Sequence, residues 1–202
     1  TTPQGVRYYF DSPRHRRVTS ILNPNGLGLT FSYDADNRLT TLGDTYGRRI
    51  VLAYDAAGYL ATASDVNVTP NRTVTYVHDA QGNLTRVTDP GGNPTNYTYD
   101  AAHRLLSIAD GRGNQLAIGY DSAGRVTSLI TGVSARYFSY NPQAQRTTVV
   151  DVMAAGNQST AYSYDARGRV TRVDRPQGLY RTIAWDDSDN PILVTDEAGR
   201  AT

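Results

Sequence analysis

Apolar and polar residues alternate in short runs along this chain, and turn residues interrupt the runs roughly every ten positions. Tyr162–Asp174 reads YSYDARGRVTRVD, and Tyr97–Asp110 reads YTYDAAHRLLSIAD. In both, an aromatic-x-aromatic step places two rings on one face of a strand. A turn-forming segment follows, then a second short apolar run. No apolar pattern of period 3.6 survives for three turns of helix, so the pattern predicts strands and hairpins throughout.

The phrase repeats. The aromatic before Asp, here called the anchor, recurs as Phe10, Tyr33, Tyr54, His78, Tyr99, Tyr120, Tyr140, Tyr164 and Trp185, at spacings of 20 to 24 residues. Asp follows at eight of these nine positions and Asn141 at the other. Two before the anchor stand Tyr8, Phe31, Leu52, Tyr76, Tyr97, Ile118, Phe138, Tyr162 and Ile183. Nine past it, from the second anchor on, come Leu42, Ala63, Val87, Ile108, Leu129, Val149, Val173 and Val194. Eleven past it, Asp44, Asp65, Asp89, Asp110, Asp151 and Asp196 form a second Asp column. A period of this length is the mark of a repeat architecture.

Each unit is predicted as strand, turn, strand, turn. Four past the anchor lie Gly58, Gly82, Gly124 and Gly168, with Asn37 and His103 in other copies. These residues tolerate the positive φ of a tight reversal. The Asp after the anchor is suited to cap that turn, and Asp and Arg columns are expected to pair at the surface. The apolar columns six and nine past the anchor have opposite parity. Either both sheet faces are partly covered, or a bulge flips the register between them. A lone hairpin is barely stable, so the hairpins must share one sheet and bury a common aromatic stripe. The expectation is all-β: tandem hairpins of about 22 residues in a continuous curved ribbon, a single array spanning residues 1–202.

Composition narrows the function classes. All 20 basic residues are Arg, and Glu197 is the one Glu among 19 acidic residues. Asp with 18 Gly and 9 Pro favours turns over helices. A net charge of +1 gives no field for nucleic acid or a membrane surface. The absence of Cys excludes a disulfide framework and a thiolate metal site. No run reaches the ~18 apolar residues of a membrane span.

At these residues the chain closely resembles the YD-repeat, or RHS-repeat, family. The family phrase is Tyr-x-Tyr-Asp-x-x-Gly-Arg-Leu, and Tyr162–Val170 matches it with Val for Leu. The match recurs in about eight complete units, with departures at His78, Asn141, Trp185 and the stretch Gln143–Arg146, which lacks the Gly. The resemblance implies a β-ribbon that spirals into a hollow shell. In bacterial Rhs proteins and insecticidal toxin complexes such a shell encloses a toxic C-terminal domain; teneurins use a similar shell in adhesion. The lack of Cys argues against the teneurin setting, and a bacterial Rhs or wall-associated polymorphic toxin fits best. The implied partners are the toxin domain of the same polypeptide, neighbouring YD repeats and a secretion apparatus. The implied location is secreted, delivered from the bacterial cytoplasm, or at the cell surface.

The opening PQGVRYYFD starts inside a turn, and the closing TDEAGRAT stops after one. The expectation is a fragment broken mid-unit at both ends. About sixteen strands at ~4.8 Å give a ribbon roughly 80 Å wide, too small to close around a folded domain. Such a piece would be one arc of a wall.

Candidate chemistry is sparse. His15, His78 and His103 lie in different units, which stacking does not bring together. Asp186–Asn190, DDSDN, has carboxylates for Ca²⁺ but neither the Gly nor the terminal Glu of an EF loop, so it reads as a capped turn. Asp89–Gly92, DPGG, sits in the ordinary Asp column. Gly26-Leu-Gly28 and Gly111-Arg-Gly113 lack the rest of a dinucleotide fingerprint. RHRR at Arg14–Arg17 is too short for a nucleic-acid stripe. Accordingly, no catalytic, cofactor or metal residue is assigned, and the anchors are assigned structural roles. The functional expectation is a non-enzymatic wall segment of a toxin-enclosing shell. The alternative is a cell-surface carbohydrate-binding or adhesion module, since sugars also pack on aromatic faces.

Overall fold

The computed structural model describes residues 2, 4–11 and 16–201. The chain divides into two units, Thr1–Tyr97 and Thr98–Thr202. Among the described residues it is all-β, with eighteen strands and one short 3₁₀ turn at Pro176–Gly178.

The first unit holds β1 (Arg7–Phe10), β2 (Val18–Leu22), β3 (Gly28–Tyr33), β4 (Leu39–Asp44), β5 (Arg49–Tyr54), β6 (Leu60–Asp65), β7 (Arg72–His78), β8 (Leu84–Thr88) and β9 (Pro94–Tyr99), within which the division falls. Each strand pairs antiparallel with the next in sequence. The second unit holds β10 (Leu105–Asp110), β11 (Gln115–Tyr120), β12 (Val126–Ile130), β13 (Ala135–Asn141), β14 (Arg146–Met153), β15 (Gly156–Tyr164), β16 (Val170–Asp174), β17 (Tyr180–Trp185) and β18 (Pro191–Asp196), paired in the same way.

The parity conflict between the two apolar columns is resolved by a bulge. In β3–β4, Phe31 faces Leu42 and Ser32 faces Thr41, yet Tyr33 faces Leu39. Thr40 is the extra residue, with two positions on β4 opposing one on β3. Leu39 and Leu42 thereby reach the same face as Phe31 and Tyr33. The same shift occurs beside Phe10, Tyr54, His78, Tyr120, Tyr164 and Trp185. At three of these bulges the extra Thr returns its hydroxyl to the opposite strand: Thr40 Oγ1 donates to Ser32 O (3.2 Å), Thr85 Oγ1 to Val77 O (3.1 Å) and Thr171 Oγ1 to Ser163 O (3.3 Å). The hairpin β13–β14 has no bulge; Tyr140 faces Thr147 in an unbroken register. Its turn, Asn141–Arg146, lacks Gly, and Gln145 takes the positive φ there at 48°.

In repeats that keep both Asp columns, such as the one from Tyr33 to Asp44, the two turns are one device used twice. Asp55 N donates to Tyr59 O and Gly58 N to Asp55 O at the anchor turn. Asp44 N donates to Arg48 O and Gly47 N to Asp44 O at the second turn. The fourth residue of these Asp-headed loops has φ > 0, as in Gly168 at 80° and the non-glycine Asn37 at 66°.

The expected buried aromatic stripe needs correction. Ala161, at 6% exposure, is the one buried residue among those described. The anchors are half-buried, and Phe10 is 54% exposed. The physical reason is layering. Each strand packs on its sequence neighbours, and among the described residues of each unit no second layer lies over the rings. Lateral contact alone covers half a side chain. The face opposite the rings carries small residues, such as Ser32, Thr41, Gly43, Ala53, Thr62 and Ser64 in the first unit.

Candidate functional site, a clasp between neighbouring hairpins

The recurring chemistry of this protein lies where one hairpin meets the next. Three residue types build it: the Asp after an anchor, the residue four past that Asp, and the anchor of the following hairpin.

Asp121 shows the first step. Its Oδ1 accepts the backbone N–H of Ala123 (2.9 Å) and of Arg125 (2.9 Å), closing the loop. Its Oδ2 accepts Arg125 Nε at 2.8 Å. The carboxyl is held below its ordinary range, chiefly by the Arg125 amide; desolvation opposes the shift and the Arg125 side chain adds to it. The second Asp column makes the same bond with Asn as donor: Asn114 Nδ2 donates to Asp110 Oδ2 (2.7 Å), and this is the leading cause of the lowered Asp110 pKa.

The guanidinium so fixed lies over the next anchor ring. Arg125 Cζ sits 4.4 Å from the centroid of Tyr140. Arg17 stands over Tyr33 (4.9 Å), Arg38 over Tyr54 (4.8 Å), Arg104 over Tyr120 (4.7 Å) and Arg169 over Trp185 (5.8 Å). A cation over an aromatic face is attracted by the ring quadrupole.

The ring then reaches back. Tyr140 OH donates to Val126 O (2.7 Å), Tyr120 OH to Leu105 O (2.9 Å), Tyr54 OH to Leu39 O (2.8 Å) and Tyr33 OH to Val18 O (2.9 Å). Each acceptor is the carbonyl that begins the second strand of the preceding hairpin. Each such bond contributes about 1 kcal/mol net, and repetition multiplies it along the array.

Of the anchors predicted from sequence, Tyr33, Tyr54, Tyr120 and Tyr140 thus form complete clasps, as does Trp185, whose indole N–H donates to Val170 O. Tyr99 ends β9. Tyr164 ends β15, where its backbone N–H donates to Gln145 O (2.9 Å). His78 stacks on Tyr59. Phe10 ends β1 without a hydroxyl to donate. Sequence reasoning missed the Arg as the hinge of the arrangement. The signal was present: Arg38, Arg104, Arg125 and Arg169 all stand five past an anchor.

The remaining candidates fall into place as turns. Asp186 Oδ1 accepts from Ser188 N and Asn190 N (both 2.9 Å), and Asp89 Oδ1 from Gly91 N (2.8 Å) and Asn93 N (2.9 Å). His78 and His103 sit in separate hairpins, and His15 lies outside the described residues. Among the described residues, no three His, Cys, Asp or Glu side chains gather to hold a metal, and no helix is long and apolar enough to cross a membrane. A shallow hollow of about 520 Å³ in the second unit is lined by Phe138, Tyr140, Tyr162 and Tyr164, beside the ion pair Arg136–Asp151.

The RHS Repeat family matches residues 12–49, 78–115 and 149–180, more than half of the chain. The chain belongs to the RHS-repeat family. No curated protein matches the sequence. Among solved structures, the RHS repeats resemble the crystal structure of TcdB2-TccC3-TEV at 15% identity and a TM-score of 0.60, over 96% of this chain and 13% of that one. The crystal structure of TcdB2-TccC3-Cdc42 matches at 16% identity and a TM-score of 0.61, over 96% and 13%. The Photorhabdus luminescens Tc holotoxin pore matches at 16% identity and a TM-score of 0.60, over 84% and 12%. At these identities the likeness shows the fold, and the chain spans about 13% of the matched crystal-structure chains.

Proposed function

We propose that these RHS repeats are a length of wall in a shell that encloses a C-terminal toxin domain of the same polypeptide, in a secreted bacterial toxin. The observation that carries the reading is the clasp. Within each unit its bonds tie neighbouring hairpins, as at Arg17–Tyr33 and Arg38–Tyr54 in the first and Arg104–Tyr120, Arg125–Tyr140 and Arg169–Trp185 in the second, and serve lateral cohesion. A thin sheet held laterally, with half-buried rings on one face and hydroxyl and small side chains on the other, suits a partition between two compartments. The fold shared with the TcdB2-TccC3 structures supports the same reading. The wall itself does no chemistry; the enclosed domain is its partner, with neighbouring RHS repeats on either side. Limited proteolysis of the full-length protein tests this. The segment after the repeats should resist protease while the repeats are folded and be digested once they are opened by denaturant. Digestion of that segment at the same rate in both states would overturn the reading.

The aromatic hollow favours a second reading, a carbohydrate-binding or adhesion surface. Phe138, Tyr140, Tyr162 and Tyr164 present half-buried or accessible rings beside a charged pair, a combination on which a sugar ring can stack and hydrogen-bond. A glycan array decides it: selective binding lost in Tyr162→Ala, with folding retained, would favour adhesion.

A further inference from the structure

The third joint of the first unit is built differently from the first two. Where β2 meets β3 and β4 meets β5, an Arg covers a Tyr and the Tyr hydroxyl bonds back to the preceding hairpin. Where β6 meets β7, the downstream anchor is His78, and Tyr59 occupies the upstream Arg position. Cation and ring have been replaced by two rings, stacked with centroids 4.8 Å apart and planes 23° from parallel.

This exchange removes the polar bonds of the clasp together. An imidazole has no hydroxyl to extend to the carbonyl of Leu60. Its Nδ1 is buried without a hydrogen-bond partner. Asp55 Oδ1 still accepts the Tyr59 amide (2.9 Å), but position 59 supplies no guanidinium to the second oxygen. Tyr59 instead lies against the next turn, its hydroxyl over Gly82 where a Cβ would collide.

The far end of the same joint is tied. Arg72 pairs with Asp65 (2.9 Å), Ser64 and Thr73 share a hydroxyl–hydroxyl bond (2.9 Å), and the register runs unbroken from Asp65↔Arg72 to Thr62↔Thr75. Polar side-chain bonds hold one end of the joint, and past the Thr62↔Thr75 pair ring stacking takes their place at the other.

We propose that the anchor end of the β6–β7 joint is the opening point of the first unit, parting about a pivot at Asp65–Arg72. Local opening starts where directional bonds are fewest. It also releases the His78 Nδ1, because a buried polar atom without a partner regains one from water on exposure. The clasped joints have the opposite balance, since opening them breaks a satisfied bond from Tyr33 or Tyr54. The inference is independent of any enclosed cargo; within a shell, the joint would be a seam.

Hydrogen–deuterium exchange on the intact polypeptide tests the proposal. Amides of residues 60–62 and 75–78 should exchange at least about tenfold faster than those of residues 39–41 and 51–54. The paired substitution Tyr59→Arg with His78→Tyr installs the common clasp and should erase most of that difference. The reverse pair, Arg38→Tyr with Tyr54→His, should carry fast exchange to the β4–β5 joint, and it decides the matter if the first pair does not fold. Equal rates in the unsubstituted chain would overturn the proposal, as would fast exchange at β6–β7 that survives the installed clasp.

Discussion

Trp185 donates its indole N–H to the carbonyl of Val170 at 2.8 Å, the bond that Tyr120 makes to Leu105 through its hydroxyl. Two different ring chemistries deliver one donor to one place. At these two anchors the flat ring ends in a hydrogen-bond donor, whereas Phe10 and His78 fill the same column without that bond.

Trp185→Phe keeps a ring and removes the donor. The loss should be about 1 kcal/mol in urea unfolding, the net worth of one hydrogen bond. Trp185→Tyr should lose less, since a hydroxyl can take the place of the indole N–H. Equal losses for the two variants would show that the Val170 bond contributes nothing.

Arg125 holds Asp121 through Nε while its guanidinium covers Tyr140. An ammonium cannot occupy both places, because Lys carries one compact charge and no planar fork. Arg125→Lys should lower the melting midpoint by a few degrees, nearly as much as Arg125→Met. Retention of the full midpoint by Lys would reduce the interaction to charge alone.

Gly168 has φ 80° and open space where a Cβ would go, whereas a Cβ at Gly82 meets the hydroxyl of Tyr59. Gly168→Ala should cost about 1 kcal/mol, the strain of a left-handed backbone. Gly82→Ala should cost more, and the excess should vanish in a Tyr59→Ala background. Denaturant midpoints of the four variants provide the comparison.

The turn carboxylates make stability acid-sensitive. Asp34 is held below its ordinary range first by the Arg38 amide, Asp110 first by the Asn114 side chain, and Asp196 first by the Arg200 side chain. A carboxyl whose pKa is lower folded than unfolded stabilises fully above its unfolded value, roughly 3.9, and loses that contribution as pH falls through the folded value. The melting midpoint should hold from about pH 7 to about pH 5 and drop below about pH 4. A midpoint unchanged between pH 5 and pH 3 would rule out this role for the turns.

Much of the clasp was legible in the sequence, yet unevenly. The anchors, both Asp columns and the turn residue with positive φ were all visible as columns. The Arg column was visible too, but its function was not. Arg125 and Tyr140 are fifteen residues apart, and only the pairing of β12 with β13 sets the guanidinium on the ring. The His78–Tyr59 exchange was hidden for the same reason. His78 read as a lone departure, and its compensating partner lies nineteen residues upstream in another hairpin.

Local chemistry was enough for the sequence to determine the hairpins and their order, although the repeat implies about sixteen strands and eighteen are present among the described residues. Aromatic-x-aromatic-Asp makes a strand end, Asp-x-x-Gly makes a loop, and both act within five residues. Two matters waited for the tertiary structure. One was the face each apolar column takes, because the bulge at Thr40 and its counterparts depends on cross-strand register, which no single strand encodes. The other was how far the rings are buried. Burial needs a second surface, and strands bonded edge to edge cover a side chain only from its flanks.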